Sequence, residues 1–229
     1  PFDLESLRML VEEVKVKRIK IGSGCLTDVR LLRAARDTGL PLIISTGMST
    51  RSQSYAETSP SSGPWSGLVL GDPGGPNVAL QCVSAYPAPV AESNLSWMGQ
   101  WARGSSCKVG YSHHAPGIAL PIAAVAMGAT VIEAHLTLDR DAAGPDHKAS
   151  LDPSEFKAMV DGIRQVEAAM GDGVKRVMPS EMPTIPKARK VLCSSRPVKA
   201  GEVWTEDNLT CLRAPGEWPP VGQSDWKCL

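Results

Sequence analysis

The chain has 229 residues, 42% of them hydrophobic, with 24 basic residues against 24 acidic ones. That content builds one barrel-sized domain or a domain and a half. The balanced charge excludes a bulk field that recruits nucleic acid or an anionic membrane, so any anion site must be local. No run of eighteen apolar residues is present to span a bilayer. Cysteines at 25, 82, 107, 193, 211 and 228 form no C-x-x-C pair, which suits reduced thiols of a cytoplasmic protein better than disulfides or structural zinc. The start, Pro1-Phe2-Asp3, is neither a signal peptide nor an initiator methionine, and the chain is expected to be incomplete at its N-terminus.

In chain order, an amphipathic helix is expected over Leu4 to Val14, followed by a strand at Arg18-Ile19-Lys20-Ile21. A second helix, Asp28 to Thr38, precedes a strand at Leu42-Ile43-Ile44-Ser45. Residues 51 to 77 are rich in Ser, Gly and Pro where the alternation asks for a helix, and they read as an irregular insertion. Further strands follow at Val78 to Cys82, Lys108 to Tyr111 and Thr130 to Glu133, with a helix at Ile118 to Met127 that Gly128 stops. Asp152-Pro153-Ser154-Glu155 is a capping box with Pro at the first helical position, and Phe156, Met159, Val160, Ile163, Val166 and Met170 follow at helical spacing. Strands alternating with helices mean parallel β/α units.

After Gly173 the pattern changes. Pro179, Pro183 and Pro186 mark a linker, and Lys190 to Leu212 reads as β-rich. The expected division is a partial barrel over 1–175, a linker over 176–188 and a small β-rich domain over 189–229. Glu217 to Leu229 shows no period.

In parallel β/α barrels the active site forms at the C-terminal ends of the strands, so the residues that close each apolar run are the ones to inspect. The runs close with Lys20-Ile21-Gly22-Ser23-Gly24, Ser45-Thr46-Gly47, Ser84-Ala85-Tyr86-Pro87, Ser112-His113-His114 and Glu133-Ala134-His135. Any one of these alone reads as an ordinary turn. Repeated after successive strands, they suit a phosphate: glycines let the backbone approach, amides and hydroxyls donate, and a lysine supplies charge. All four histidines lie between positions 113 and 147. His114 and His135, each closing a strand, are candidate ligands of one open metal site, with His113 as a solvated neighbour and His147 as a loop residue. Two nitrogen ligands completed by oxygen suit manganese or another divalent ion better than a closed zinc site.

The strings Lys20-Ile-Gly-Ser-Gly24, Ile44-Ser-Thr-Gly-Met48, Gln81-Cys-Val-Ser-Ala-Tyr-Pro87, Gly110-Tyr-Ser-His-His114, Gly128-Ala-Thr-Val-Ile-Glu-Ala-His135 and Gly144-Pro-Asp-His-Lys-Ala-Ser150 together resemble the N-acylneuraminate (sialic acid) synthase family. Lys199-Ala-Gly-Glu-Val203 and Thr205-Glu-Asp-Asn-Leu-Thr210 resemble the small antifreeze-like (SAF) domain that such synthases carry. The resemblance implies a TIM (β/α)8 barrel of which about strands 4 to 8 are present, followed by a truncated antifreeze-like domain.

The function it implies is metal-dependent condensation of phosphoenolpyruvate with N-acetylmannosamine or its 6-phosphate. Lys20, Ser23, Ser45 and Ser112 are then the groups that hold the phosphate and carboxylate of phosphoenolpyruvate. Tyr86 and Asp146 contact the sugar, and His114 and His135 bind the metal, manganese before magnesium or cobalt. Arg213, in the antifreeze-like domain, is the residue that reaches the partner's active site in a domain-swapped homodimer. Lys20, Asp146, His114 and His135 carry the catalytic roles.

Three positions depart from the family pattern: Cys25 stands for an acidic residue, Ala134 for a basic one, and His113 for Asp or Gly. Cys25 is expected to remove a carboxylate from near the metal and substrate. Five strands do not close an eight-stranded barrel, so at this length the chain is expected to be unstable and inactive. Legionaminic or pseudaminic acid synthesis by the same family is the alternative, as is a catalytically inactive fragment that only binds sugar or phosphate.

Overall fold

The computed structural model describes residues 1–50, 76–104 and 107–213. The expected insertion, save Pro76 and Asn77, and the segment Glu217 to Leu229 lie outside these. Two compact units divide the chain, Pro1–Gly171 and Asp172–Leu229.

The first unit runs α1 (Leu4–Glu12), β1 (Ile19–Ile21), α2 (Val29–Asp37), β2 (Leu42–Ser45), β3 (Val78–Gln81), α3 (Leu95–Gly104), β4 (Lys108–His113), α4 (Ala119–Ala126), β5 (Ile132–Ala134) and α5 (Pro153–Met170). Three of its helices, α1, α2 and α5, start where an aspartate side chain replaces missing intrahelical partners. Asp3 caps α1, Asp28 accepts from the Arg30 and Leu31 amides of α2, and Asp152 with Glu155 forms the expected capping box of α5. Gly128, at φ +102, lets the chain leave α4 in a left-handed conformation that a Cβ would strain. Met159 and Ile163 of the α5 stripe are buried, whereas Met170 is exposed.

The five strands form one parallel sheet in the order β1-β2-β3-β4-β5, in register Ile21 with Ile44, Ser45 with Leu80, Gln81 with Tyr111, and His113 with Ala134. Side chains alternate between its faces. On the outer face, Ile19, Ile21, Leu42 and Ile44 pack with Leu7, Leu31, Leu32 and Ala35. Ala79, Val109 and Tyr111 pack with Met98, Trp101 and Ala124. Each fully buried aliphatic or aromatic side chain here contributes about 1.5–3 kcal/mol. The third cluster, Leu151, Met159 and Ile163, lies against Ile132 and Ala134.

The sheet is strongly curled, and one contact shows it. Lys20 on β1 and Glu133 on β5, the two edge strands, meet at 3.4 Å. In a flat sheet those strands would stand about 19 Å apart, four spacings of about 4.8 Å, beyond the combined reach of a lysine and a glutamate. The α/β architecture is therefore an arc of parallel strands with helices outside, as in part of a barrel.

The second unit contains α6 (Ile185–Ala188) and an antiparallel pair, β6 (Val191–Ser194) with β7 (Leu209–Leu212). Asn208, buried, holds the connection between these strands: its side chain receives the Thr205 amide at 2.8 Å and donates to the Val203 carbonyl at 2.9 Å. Pro179, Pro183 and Pro186 precede the pair.

Candidate functional site

The concave face of the arc is polar at the C-terminal ends of its strands, and alternation explains why. Lys20, Ser45, Ser112 and Glu133 occupy the positions between the apolar residues that face the helices. Curvature then brings them together. Lys20 Nζ donates to Ser45 Oγ at 2.8 Å and to the Ile21 carbonyl at 3.3 Å, and it pairs with Glu133 Oε2 at 3.4 Å. Ser112 Oγ donates to Glu133 Oε1 at 2.7 Å and lies 3.2 Å from His114 Nε2.

His114 follows β4 and is almost fully buried, at 6% exposure. Its Nδ1 lies 2.7 Å from the Val83 carbonyl, which only accepts, so Nδ1 carries the proton and Nε2 keeps its lone pair. The Ala88 amide donates to the His114 carbonyl at 2.8 Å, tying the β3 loop to this residue. Burial pushes the His114 pKa below the ordinary imidazole value; the Val83 bond opposes this and the neighbouring His135 adds to it. Tyr86 packs on both imidazoles, with ring centroids 4.3 Å from His114 and 5.4 Å from His135. Burial raises its pKa, reinforced by Cys82, Asp146 and Glu133, so the phenol remains a donor at neutral pH.

His135 follows β5, and Asp146 reaches it from a loop closed at its base. The Leu151 amide donates to the His135 carbonyl and the Thr137 amide to the Leu151 carbonyl, both at 2.9 Å. Inside the loop, Thr137 gives its hydroxyl proton to the Asp139 carbonyl and so accepts from His147 Nδ1 at 2.7 Å. Ser150 Oγ donates to the Asp146 carbonyl at 2.7 Å. Asp146 Oδ2 then stands 4.0 Å from His135 Nδ1.

Ser23 sits in a short helical turn after β1 (Ser23–Cys25). It accepts the Gly47 amide at 3.0 Å and lies 3.2 Å from Cys82 Sγ. A Cβ on Gly47 would fall 2.9 Å from both Ser23 Oγ and Cys82 Sγ and would collide with Ser84 Oγ, so glycine is required for this approach. The neighbouring Met48 is left-handed, at φ 62, a conformation that non-glycine residues rarely hold. A cavity of about 230 Å³ opens here, lined by Ser23, Gly24, Thr27, Gly47 and Met48 among others.

The structure thus gathers Lys20, Ser45, Ser112, His114, Tyr86, His135 and Asp146, with Ser23 beside them. Arg213 belongs to the second unit. Two expectations are corrected. His113 is not a solvated neighbour: it is 1% exposed on the outer face, donates from Nε2 to the Gly117 carbonyl at 2.7 Å, and has a buried Nδ1 without a partner among the described residues. Its parity is opposite to that of Ser112 and His114, so it faces the helices. Cys25 is not among the polar residues of the site; it is packed in the apolar cluster of Ile19, Ile21 and Leu31, where a carboxylate would be costly. Sequence reasoning assigned no role to Glu133, although it shares the parity of His135.

Among the described residues no group of three or more His, Cys, Asp or Glu is arranged to hold a metal ion. The imidazole pair nonetheless suits one. Nitrogens about 2.1 Å from a common ion, at right-angle to tetrahedral spacing, put ring centroids about 4.5–5.2 Å apart, and His114 and His135 stand at 5.2 Å, edge to face. Ser112 has one proton for two acceptors, Glu133 and His114 Nε2, and the closer Glu133 takes it, which leaves the Nε2 lone pair for a cation.

The NeuB family model matches residues 1–175. The N,N'-diacetyllegionaminic acid synthase of Campylobacter jejuni is 40% identical over 216 residues, 93% of this chain and 62% of that one. The human N-acetylneuraminate-9-phosphate synthase is 35% identical over 216 residues, 92% of this chain and 56% of that one. Among solved structures, the N-acetylneuraminic acid (sialic acid) synthetase of Leptospira borgpetersenii, in complex with citrate, matches with a TM-score of 0.68 at 34% identity, covering 81% of this chain and 61% of that one. The chain spans about three fifths of the length of these relatives.

Proposed function

The chain belongs to the NeuB family, and from that premise we propose that it serves in condensing phosphoenolpyruvate with an N-acyl amino sugar to give a sialic-type acid and phosphate. The observation that carries this reading is the cluster of Lys20, Ser45 and Ser112 beside the His114–His135 pair at the strand ends. One group binds an anion and the other a cation, a few ångströms apart.

In this reading Lys20, Ser23, Ser45 and Ser112 hold the phosphate and carboxylate of phosphoenolpyruvate, and Tyr86 and Asp146 orient the sugar. His114 and His135 are the residues that would hold a divalent ion, manganese first, which when bound supplies Lewis acidity toward the sugar aldehyde. Carbon 3 of phosphoenolpyruvate attacks that aldehyde, water adds at carbon 2, and the C–O bond breaks to release phosphate. Fixed donors on Lys20, Ser45 and Ser112 stabilise the leaving anion without reorganising. The Val83 carbonyl fixes the tautomer of His114, and Tyr86 packs against both rings. The second unit is proposed to be the antifreeze-like domain, with Arg213 serving the site of a swapped partner.

With N-acetylmannosamine as substrate the product is sialic acid. Legionaminic acid synthesis is the second reading, favoured by the 40% identity to two N,N'-diacetyllegionaminic acid synthases against 35% to the N-acetylneuraminate-9-phosphate synthases. The test is phosphate release from phosphoenolpyruvate with manganese, offering N-acetylmannosamine, its 6-phosphate or a di-N-acetylated sugar. It is run on the chain alone and on the chain fused behind the preceding barrel strands of a family member. Release that needs a sugar and His135 is expected from the fusion, and the preferred sugar decides between the readings. A folded fusion that releases nothing with any sugar refutes both and leaves an inactive binding fragment.

A further inference from the structure

Glu133 holds two of the four groups proposed to receive the anion, Lys20 and Ser112. Its Oε2 pairs with Lys20 Nζ at 3.4 Å, and its Oε1 accepts the Ser112 hydroxyl at 2.7 Å. The lysine ammonium has three donor hydrogens and three partners here: Ser45 Oγ, the Ile21 carbonyl and Glu133. Ser112 has one proton, which Glu133 receives. A phosphate arriving at this site therefore finds neither residue with a spare donor and must displace something.

What it displaces follows from the contacts. Ser45 and the Ile21 carbonyl are neutral and built into the strands that carry them. Glu133 is the charged partner and makes the longest contact of the three. The two side chains of the ion pair are 34% and 36% exposed, so solvent screens the pair and its net hold is small. A carboxylate left in place would also repel an incoming phosphate at close range.

We infer that Glu133 is a built-in anion mimic: its two oxygens occupy the Lys20–Ser112 site and yield it to phosphoenolpyruvate, so Glu133 sets which anions enter. This rests on the proposed reading of Lys20 and Ser112 as anion holders and deepens it. A dianion, gaining twice the attraction to Lys20, displaces the carboxylate, whereas a small monoanion such as acetate does not. Selectivity here comes from a repulsive element as much as from attraction. A scaffolding role for Glu133, holding Lys20 and Ser112 in place for the ligand, predicts the opposite sign when the charge is removed.

The experiment is calorimetric titration of inorganic phosphate and of acetate into the 229-residue chain and, in parallel, into the barrel fusion. The variants are Glu133→Gln, Glu133→Ala and each combined with Lys20→Gln, with circular dichroism confirming the fold. Removing the carboxylate is expected to tighten phosphate binding about three- to tenfold and to admit acetate, with both gains vanishing in the Lys20→Gln background. Lys20-dependent phosphate binding that is unchanged or weakened in both Glu133 variants overturns the inference while sparing the anion-site reading. Absence of Lys20-dependent binding in every protein overturns both.

Discussion

The two faces of the five-stranded sheet are made by the same strands, yet they do different work. On the convex side Ile19, Ile21, Leu42, Ile44, Val109 and Tyr111 close against helices. On the concave side Lys20, Ser45, Ser112 and Glu133, one residue away from these, bond to each other. The difference teaches that a period of two can separate stability from chemistry at single-residue resolution. His113 and His114 show it most sharply: the first is bonded into the helix layer through Gly117, and the second presents a lone pair to the site.

Substitutions on the two faces should therefore separate activity from stability. The largest effect expected is on the concave side: His135→Ala lowers turnover of the barrel fusion about a thousandfold or more, the scale of a lost Lewis-acid site. Its urea midpoint moves by no more than about 0.5 kcal/mol equivalent. A comparable loss of stability would break the separation. On the convex side, Leu31→Ala removes a side chain with 0% exposure and is expected to cost about 2–5 kcal/mol in urea unfolding. Residual folded protein should keep its affinity for phosphate, and weakened binding by that fraction would show the faces to be coupled.

The smallest effect is a pH dependence far from the site. Hydrogen bonds from the Ser154 side chain and then the Glu155 amide hold Asp152 below the usual carboxylate pKa. A lowered folded pKa means that the stabilisation is complete above the ordinary carboxylate value and is lost as pH falls through the folded one. Amide exchange in the first turn of α5 should accelerate over that acid range. Asp152→Asn should flatten the dependence, and an unchanged profile would assign the acid sensitivity elsewhere.

Much of the arc was legible because strand ends and helix caps are local. Lys20, Ser45 and Ser112 follow apolar runs, and the Asp152 capping box appears as expected, since each depends on neighbours within a few positions. Glu133 was named as a strand end without a role because its partner Lys20 lies 113 positions earlier, and only the curl of the sheet joins them. The parity that turns His113 outward was available from the alternation, but motif similarity drew attention to identity rather than direction; Cys25 lies in the turn after β1, where no alternation marks its burial. The placement of Asp146 depends on the pairing of Leu136 with Leu151, which no local pattern marks.

The Lys20–Glu133 contact joins the first and last strands of the arc, so it is a chord across the bend as well as part of the candidate site. Relaxing the bend would lengthen that chord, because the contact spans four strand spacings while each ladder spans one. Shape and anion binding are thus linked: splaying the strands parts Lys20 from Glu133 and Ser112, and an anion that displaces Glu133 exchanges the chord for a link between Lys20 on β1 and Ser112 on β4.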